Sequence, residues 1–239
     1  MSRRLSPIVF SLTVLPLMAA SLVAVFLTMK DESAVARYAA VLALAYLLGS
    51  IPWGYILLQW RRGVDIREYG SGRIGMANVL RTAGGKVAAL VLVLDSGKGI
   101  LTVVLARQVI DSTAGEVAAG LLALLGHNWP IFLRFRGGRG IATGLGSLSV
   151  MAPIAAGIGA LSFIPITLIS RYLSLGSILG VMITCLSMLG LALAGVYSSV
   201  YTLYAFTGSA IIIWQHRDNI RRMRRGDEHR LGQSASPSN

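Results

Sequence analysis

Charge is scarce in this sequence, and negative charge is scarcer still. Only 13% of the 239 residues are charged, against about 25% in an ordinary soluble domain. Asp and Glu together number 10 and Lys and Arg 22, which leaves a net charge of +12. Cys185 is the single cysteine and lies in an apolar run. That excludes a disulfide framework and a cysteine-ligand metal site, and Cys185 reads as a small core residue. Histidines number 3, and no histidine or carboxylate cluster has metal-ligand spacing. Neither a metal nor another cofactor is expected.

What the sequence does have is apolar length. Hydrophobic residues make up 54% and mean hydropathy is +0.67. Uncharged intervals run over Leu5–Met29, Tyr38–Trp60, Ile141–Ser170 and Tyr172–Gln215. A bilayer crossing needs about 20 apolar residues. Val87–Ala106 and Val117–Leu133 complete the set, the former holding Asp95 and Lys98. The chain therefore reads as an all-α integral membrane protein. The net charge does not indicate nucleic acid, because the basic residues sit between apolar runs rather than on one soluble face. The tail "LGQSASPSN" reads as disordered.

The long runs need dividing. Residues 172–215 hold two crossings with a turn near Gly195-Val196-Tyr197-Ser198. Residues 141–170 form either one tilted helix or two short ones, loosened near Pro153, Gly157 and Gly159. With two short helices, every basic residue except Lys30, Arg37, Lys98 and Arg107 falls on one side. Positive charge concentrates on the cytosolic side, which favours two helices and a cytosolic C-terminus. Two helices in that length cannot each cross about 30 Å at 1.5 Å per residue. They form a partial-depth pair, tolerated where protein or water covers the turn. The N-terminal run could be a cleaved signal peptide, but its uncharged length exceeds the usual h-region of about 7–15 residues. A retained helix is favoured.

Three cytosolic segments have the composition of an anion site. In "GVDIREYGSGRIGMANVLRTAGGK", Gly70, Gly72 and Gly75 let backbone N–H groups converge on an anion. Ser71 adds a hydroxyl, and Arg73 and Arg81 add forked donors that suit phosphate. In "GHNWPIFLRFRGGRGIATG", Gly137-Gly138-Arg139-Gly140 leads into a helix starting near Ile141, whose N-terminus would favour an anion. Arg134 and Arg136 flank it. The third segment is split. Arg171-Tyr172-Leu173-Ser174-Leu175-Gly176-Ser177 interrupts two apolar runs, and His216 and Asn219 share a helix face three residues apart. Arg221, Arg222, Arg224 and Arg225 read as contacts to anionic lipid headgroups. Asp95 and Lys98 either pair structurally or line the cavity. His127 is either a helix-end residue or a base.

These segments, together with "GSIPWGYILLQWRRGVDIREYGSGRIGMANVLRTAGG", "LVLDSGKG", "RYLSLGS" and "HRDNIRRMRRGDE", resemble the bacterial acyl-phosphate:glycerol-3-phosphate acyltransferases of the PlsY type. The resemblance runs in order from about Ala39 to Glu228. It implies a seven-helix bundle with a short partial-depth pair and a cytosolic active site in the bacterial inner membrane, here with one extra N-terminal helix. The division is then residues 1–37 for that helix and its loop, 38–228 for the acyltransferase domain and 229–239 for a disordered tail. It implies acyl transfer from acyl-phosphate to the 1-hydroxyl of glycerol 3-phosphate, giving lysophosphatidic acid and phosphate, with membrane lipid as surroundings. Ser71, Arg81, Arg139, His216 and Asn219 match the catalytic positions. Gly72, Gly75, Asn78, Lys98, Gly137, Gly138, Ser174 and Ser177 match those that bind substrate phosphate. The proton acceptor is His216 or the substrate's own phosphate, and His216 could instead bind phosphate or bond to Asn219. The usual S-G-N-x-G-A-T-N is altered at Arg73 and Ala77, and Arg139 stands for a lysine. A membrane transporter of an anion or lipid phosphate is the alternative that the glycines and arginines leave open. A non-catalytic membrane scaffold is a third.

Overall fold

A computed structural model describes residues 6–233; residues 1–5 and 234–239, with the arginines Arg3 and Arg4 and the end of the expected tail, lie outside the described residues. Among the described residues the architecture is all helical. Helix α1 spans Pro7–Thr28, with wider π-helical turns over Phe10–Val14. Next come α2 (Ala34–Gly49) and α3 (Trp53–Arg62). The uncharged interval that they share is broken at Pro52, which removes a donor and disfavours helix at the residue before it. Then follow α4 (Met76–Ala83), α5 (Gly85–Val109) and α6 (Thr113–Asn128).

The 141–170 run divides as the charge distribution required. Helix α7 is Ile141–Met151 and α8 is Pro153–Ser170, with Pro153 at the first helical position, where its missing N–H costs nothing. The shortness falls mainly on α7: its 11 residues give a length of about 16 Å. The 18 residues of α8 reach about 27 Å. Arg171, at φ 65°, turns the chain into α9 (Leu173–Leu193), and α10 (Val200–Gln215) follows after Gly195. The last helix is α11 (Arg217–Arg225). The described start of the expected tail hydrogen-bonds back to the bundle, as does the residue stretch just before it. Leu231 N–H donates to Arg171 O at 2.6 Å, and Arg81 Nη2 to His229 O at 3.4 Å.

Among the described residues six helical stretches are long and apolar enough to cross a membrane, so this is a multi-pass membrane protein. Exposed leucines and isoleucines on α8 (Leu161, Ile164, Leu168, Ile169) and α9 (Leu186, Leu193) suit a lipid environment. Helix α1 is outlying: Phe10 and Met18 are its buried apolar residues, while Leu12, Leu17 and Leu27 are exposed. Phe10 meets Phe132 edge to face, with ring centroids 5.1 Å apart.

Helix α7 is held against α5 by reciprocal small residues. Gly99 lies on Thr143 O and Ser147, and Gly146 on Ser96 O. A Cβ at either position would meet backbone of the facing helix, so the two axes approach as closely as small-residue contacts in membranes allow. At the far end of α5, Arg107 donates to both carboxylate oxygens of Glu116 at 2.8 Å and to Val150 O at 2.9 Å. Tyr201 OH donates to Glu116 at 2.9 Å. That cluster ties α5, α6, α7 and α10 together, about 18 Å along α5 from Asp95. The anion-site segments gather near the other end.

Candidate active site

Four helices begin at one cavity. Gly75, Met76 and Ala77 open α4; Gly140, Ile141 and Ala142 open α7; Leu173 and Ser174 open α9; His216 and Asn219 belong to the first turn of α11. All of them line a space of about 80 Å³. None of the four helices has a side chain capping its first turn. Ser33 and Ser112 do cap α2 and α6, at the opposite pole. An uncapped first turn leaves backbone N–H groups unsatisfied and carries partial positive charge. Four of them at one volume suit an anion.

The side chains add full charges. Arg73, Arg81 and Arg139 line the same space. Arg139 Nε and Arg81 Nε are buried without a hydrogen-bond partner among the described residues. Burial first, then the cations of Arg73 and Arg222, push the Arg139 guanidinium down to about 9, which leaves it charged at neutral pH. Burial likewise lowers Arg73 and Arg81 from the ordinary arginine value. Counter-charge is limited: Arg73 Nη2 is 3.6 Å from Asp218, and Arg222 Nε donates to Glu228 at 2.8 Å. An anion in the cavity would relieve this unbalanced positive charge.

The sequence-derived residues divide into two groups. Gly75, Asn78, Arg81, Arg139, Ser174, Ser177, His216 and Asn219 line the cavity. Ser71, Gly72, Lys98, Gly137 and Gly138 are not among the residues that line it. Asn78 reaches the wall, but its amide is committed to the 66–73 loop. Nδ2 donates to Tyr69 O and Arg73 O at 2.9 Å, and Oδ1 accepts from Ser71 N–H at 3.1 Å. It shapes the loop that carries Ser71, whose hydroxyl is buried without a partner among the described residues. Ser174 and Ser177 give their hydroxyl protons to Glu228 Oε1 and Leu173 O at 2.8 and 2.9 Å. What Ser174 can offer an anion is its backbone N–H in the first turn of α9, whereas Ser177 lies one turn further on. Lys98 Nζ meets Asp95 Oδ1 at 2.8 Å, Ile51 O at 3.0 Å and His127 Nδ1 at 2.9 Å. The first of the two readings of Asp95 and Lys98, a structural pair, describes Lys98; Asp95 lines the cavity as well.

The bond between His216 and Asn219, one of the alternatives for His216, is not formed. His216 Nδ1 donates to Ile212 O at 2.8 Å, and Asn219 Nδ2 to Glu228 Oε1 at 2.7 Å. The first turn of α11 directs the imidazole back along α10. With the proton on Nδ1, Nε2 carries a lone pair. Burial, then the Arg139 cation, push this imidazole down to about 4, so it is neutral at physiological pH.

Sequence reasoning missed Glu228 as a site element. Its carboxylate is buried and gathers Ser174, Asn219 and Arg222. Burial alone would raise its pKa, but Asn219, Ser174 and Arg222 outweigh burial and hold it below the usual carboxylate value. The signal was its place at the end of the last quoted segment. Sequence reasoning also missed an apolar groove of about 330 Å³ between α7, α8, α9 and α10. Met76, Leu92, Ile141, Ala142, Phe163 and Ser177 line both spaces, so the groove opens from the polar cavity. Nothing marks its residues within uniformly apolar runs.

A family model described as glycerol-3-phosphate acyltransferase matches residues 39–226. A glycerol-3-phosphate acyltransferase 3 of Dehalococcoides mccartyi is 41% identical over 213 residues, covering 84% of this chain and 99% of its own. A glycerol-3-phosphate acyltransferase of Myxococcus xanthus is 44% identical over 193 residues, covering 80% and 98%. The fold is similar to a crystal structure of PlsY (YgiH), an integral membrane glycerol 3-phosphate acyltransferase, in its glycerol 3-phosphate form. The TM-score is 0.75 at 37% identity, over 82% of this chain and 96% of that one. The lysophosphatidic acid form of the same protein gives a TM-score of 0.73 at 37% identity, over 82% and 95%.

Proposed function

The chain belongs to the glycerol-3-phosphate acyltransferase family, and from that premise we propose that it moves a fatty acyl group from acyl-phosphate to the 1-hydroxyl of glycerol 3-phosphate. The products are lysophosphatidic acid and phosphate. The observation that carries this reading is the junction of two spaces. A cationic cavity walled by four helix N-termini opens through shared residues into an apolar groove. A substrate with phosphate at one end and a fatty chain at the other fits that pair of spaces. The groove volume is in the range of ordinary ligand sites, about 300–1,000 Å³.

In this reading Arg81, Arg139 and the first turns of α4, α7 and α9 hold the two phosphates and offset their mutual repulsion. Acyl-phosphate is a mixed anhydride with a good leaving group, so no covalent acyl-enzyme is needed. Alignment of the hydroxyl with the acyl carbon contributes about 7–11 kcal/mol. Each donor aimed at the developing oxyanion adds about 3–4 kcal/mol. His216 Nε2 is the side-chain acceptor that orients the hydroxyl, with Asn219 beside it. Ser71, Gly72 and Asn78 form the loop behind Arg73. Gly137 and Gly138 let the Arg139 loop lie against α6. Ser174 and Ser177 place the first turn of α9. The acyltransferase unit is residues 38–228, with 1–37 as an added helix and loop and 229–239 as a tail. The site faces the cytosol from the bacterial inner membrane, a placement supported by the basic residues on the loops around the cavity.

Purified protein in phosphatidylcholine vesicles is the test. Phosphate should be released from a synthetic acyl-phosphate only when glycerol 3-phosphate is added, with one lysophosphatidic acid formed per phosphate. Release that ignores glycerol 3-phosphate, or none at all, would remove this reading.

A further inference from the structure

Beneath the glycine-rich loop lies a chain of polar groups that the reaction as described leaves unused. Asp95 and Lys98 rise one turn apart on α5, and His127 faces them from the last turn of α6. All three are buried. Lys98 Nζ has three neighbours: Asp95 Oδ1 at 2.8 Å, Ile51 O at 3.0 Å and His127 Nδ1 at 2.9 Å. An ammonium has three donors and no acceptor. Beside the Asp95 carboxylate, Lys98 is an ammonium and each of its protons is spoken for. His127 Nδ1 must therefore accept. A neutral imidazole that accepts at one nitrogen carries its proton on the other, here Nε2.

The ring's other edge lies under Gly138. A Cβ at position 138 would land on Nε2, and glycine has none to place there. The loop is fixed in that position by Gly138 N–H, which donates to His127 O at 3.0 Å. His127 and Asp95 both line the cavity that holds Arg73, Arg81 and Arg139.

We propose that His127 is a neutral hydrogen-bond donor to an anionic oxygen in this cavity, and that Lys98 is the positioning residue that fixes its proton on Nε2. The identity of that oxygen rests on the acyl-transfer reading: it belongs either to substrate phosphate or to the oxyanion formed at the acyl carbon. The protonation pattern does not depend on that reading. A neutral donor adds hydrogen bonding without adding another cation beside Arg139.

The decisive experiment has two readouts. The first is the ¹⁵N spectrum of histidine-labelled protein in detergent, assigned by comparison with His216→Ala and His229→Ala. The expected result is an unprotonated Nδ1 and a protonated Nε2 at His127. Addition of inorganic phosphate or of glycerol 3-phosphate alone shifts Nε2 if phosphate is the acceptor. If the acyl oxyanion is the acceptor, neither shifts it, and His127→Leu lowers kcat with KM unchanged. A protonated Nδ1 in the wild-type protein overturns the proposal, and this measurement decides even if a variant fails to fold.

The second readout is turnover. His127→Leu should lose about a hundredfold in kcat/KM, as for other oxyanion donors, while His127→Gln, which keeps an N–H near the position of Nε2, stays within about tenfold of wild type. Equal losses in both variants would mark a space-filling role and overturn the proposal. Lys98→Met lets Nδ1 carry the proton toward Asp95, so Nε2 presents a lone pair. Its activity should be low at pH 8 and recover as pH falls toward 6, because the doubly protonated ring donates from both nitrogens. Asp95 on α5, with Oδ1 3.5 Å from His127 Nδ1, is the charged group that then faces the ring, and Arg73, Arg81 and Arg139 line the same cavity. A flat profile in that variant also counts against the assignment. A wild-type protein that is inactive with both substrates would remove the acyl-transfer reading and leave the ¹⁵N result standing.

Discussion

Arg139 is half-buried and lines the cavity, and its buried Nε has no partner among the described residues. A group in that position stabilises the protein little and a bound anion much. Arg81 is in a similar situation, with Nε unpartnered among the described residues and Nη2 donating to His229 O at 3.4 Å. Arg81→Ala should therefore abolish acyl transfer, by at least about a hundredfold, while leaving protein extractable from membranes with an unchanged melting profile. Near-normal turnover would remove the central site assignment. His216 gives the pH dependence. Its folded value of about 4 lies below the ordinary 6.5, so the neutral ring persists well into acid. Activity should hold down to about pH 5 and fall near 4, rather than fall through 6.5. Stability runs the same way. The unfolded chain takes up protons first, so stability is lost as pH drops below 6.5 for His216 and through the lowered Glu228 value below 4.5. At this scale the arginines and the His216 position were legible, because charge in an apolar chain stands out. Asn78 and Lys98 could be singled out, but not the protein atoms to which they bond. A residue type shows what bonds can form, and only neighbours decide which ones do.

Helix ends carry the site. Uncapped starts at α4, α7, α9 and α11 converge, and each end depends on a brief irregular stretch: Gly75, Gly140, Arg171-Tyr172 and His216. Glu228 ties two of them together by accepting from Ser174 on α9 and Asn219 on α11. Glu228→Ala should cost about 3–5 kcal/mol, the usual penalty for breaking a buried charged network, and should lower the melting temperature in detergent. It should also raise KM, because the first turns that it joins are free to separate. Helix α7 is short, and its depth is set by α5. Gly146→Val would drive a branched side chain into Ser96 backbone and should destabilise by roughly 1–3 kcal/mol or more, read as loss of folded protein after extraction. The split of 141–170 was readable from charge on either side of it. The unequal lengths of its halves were not, since composition does not locate a break within an uncharged run except through Pro153.

Across the whole molecule, polarity is divided between two poles. One holds the arginine-lined cavity. The other holds Arg107 locked to Glu116, together with Ser33, Ser112 and the α1–α2 connection. In oriented vesicles, single cysteines placed at Arg61, Arg136 and Arg225 in a Cys185→Ala background should react with an impermeant maleimide from the same side, and one at Lys30 from the other. Labelling of Arg61 and Arg225 positions from opposite sides would break the common site. The sequence by itself determined that this chain lives in a bilayer, which loops carry its charge and that these loops suit an anion, because transfer of charge into lipid costs too much to leave the pattern ambiguous. Only the tertiary structure decided that four helix starts share one cavity, that Asn78 and Lys98 spend their polar groups on neighbouring protein atoms and that an apolar groove leads away from it. Those facts depend on contacts between segments far apart in the chain, and apolar side chains that face lipid, core or groove are written in the same residues.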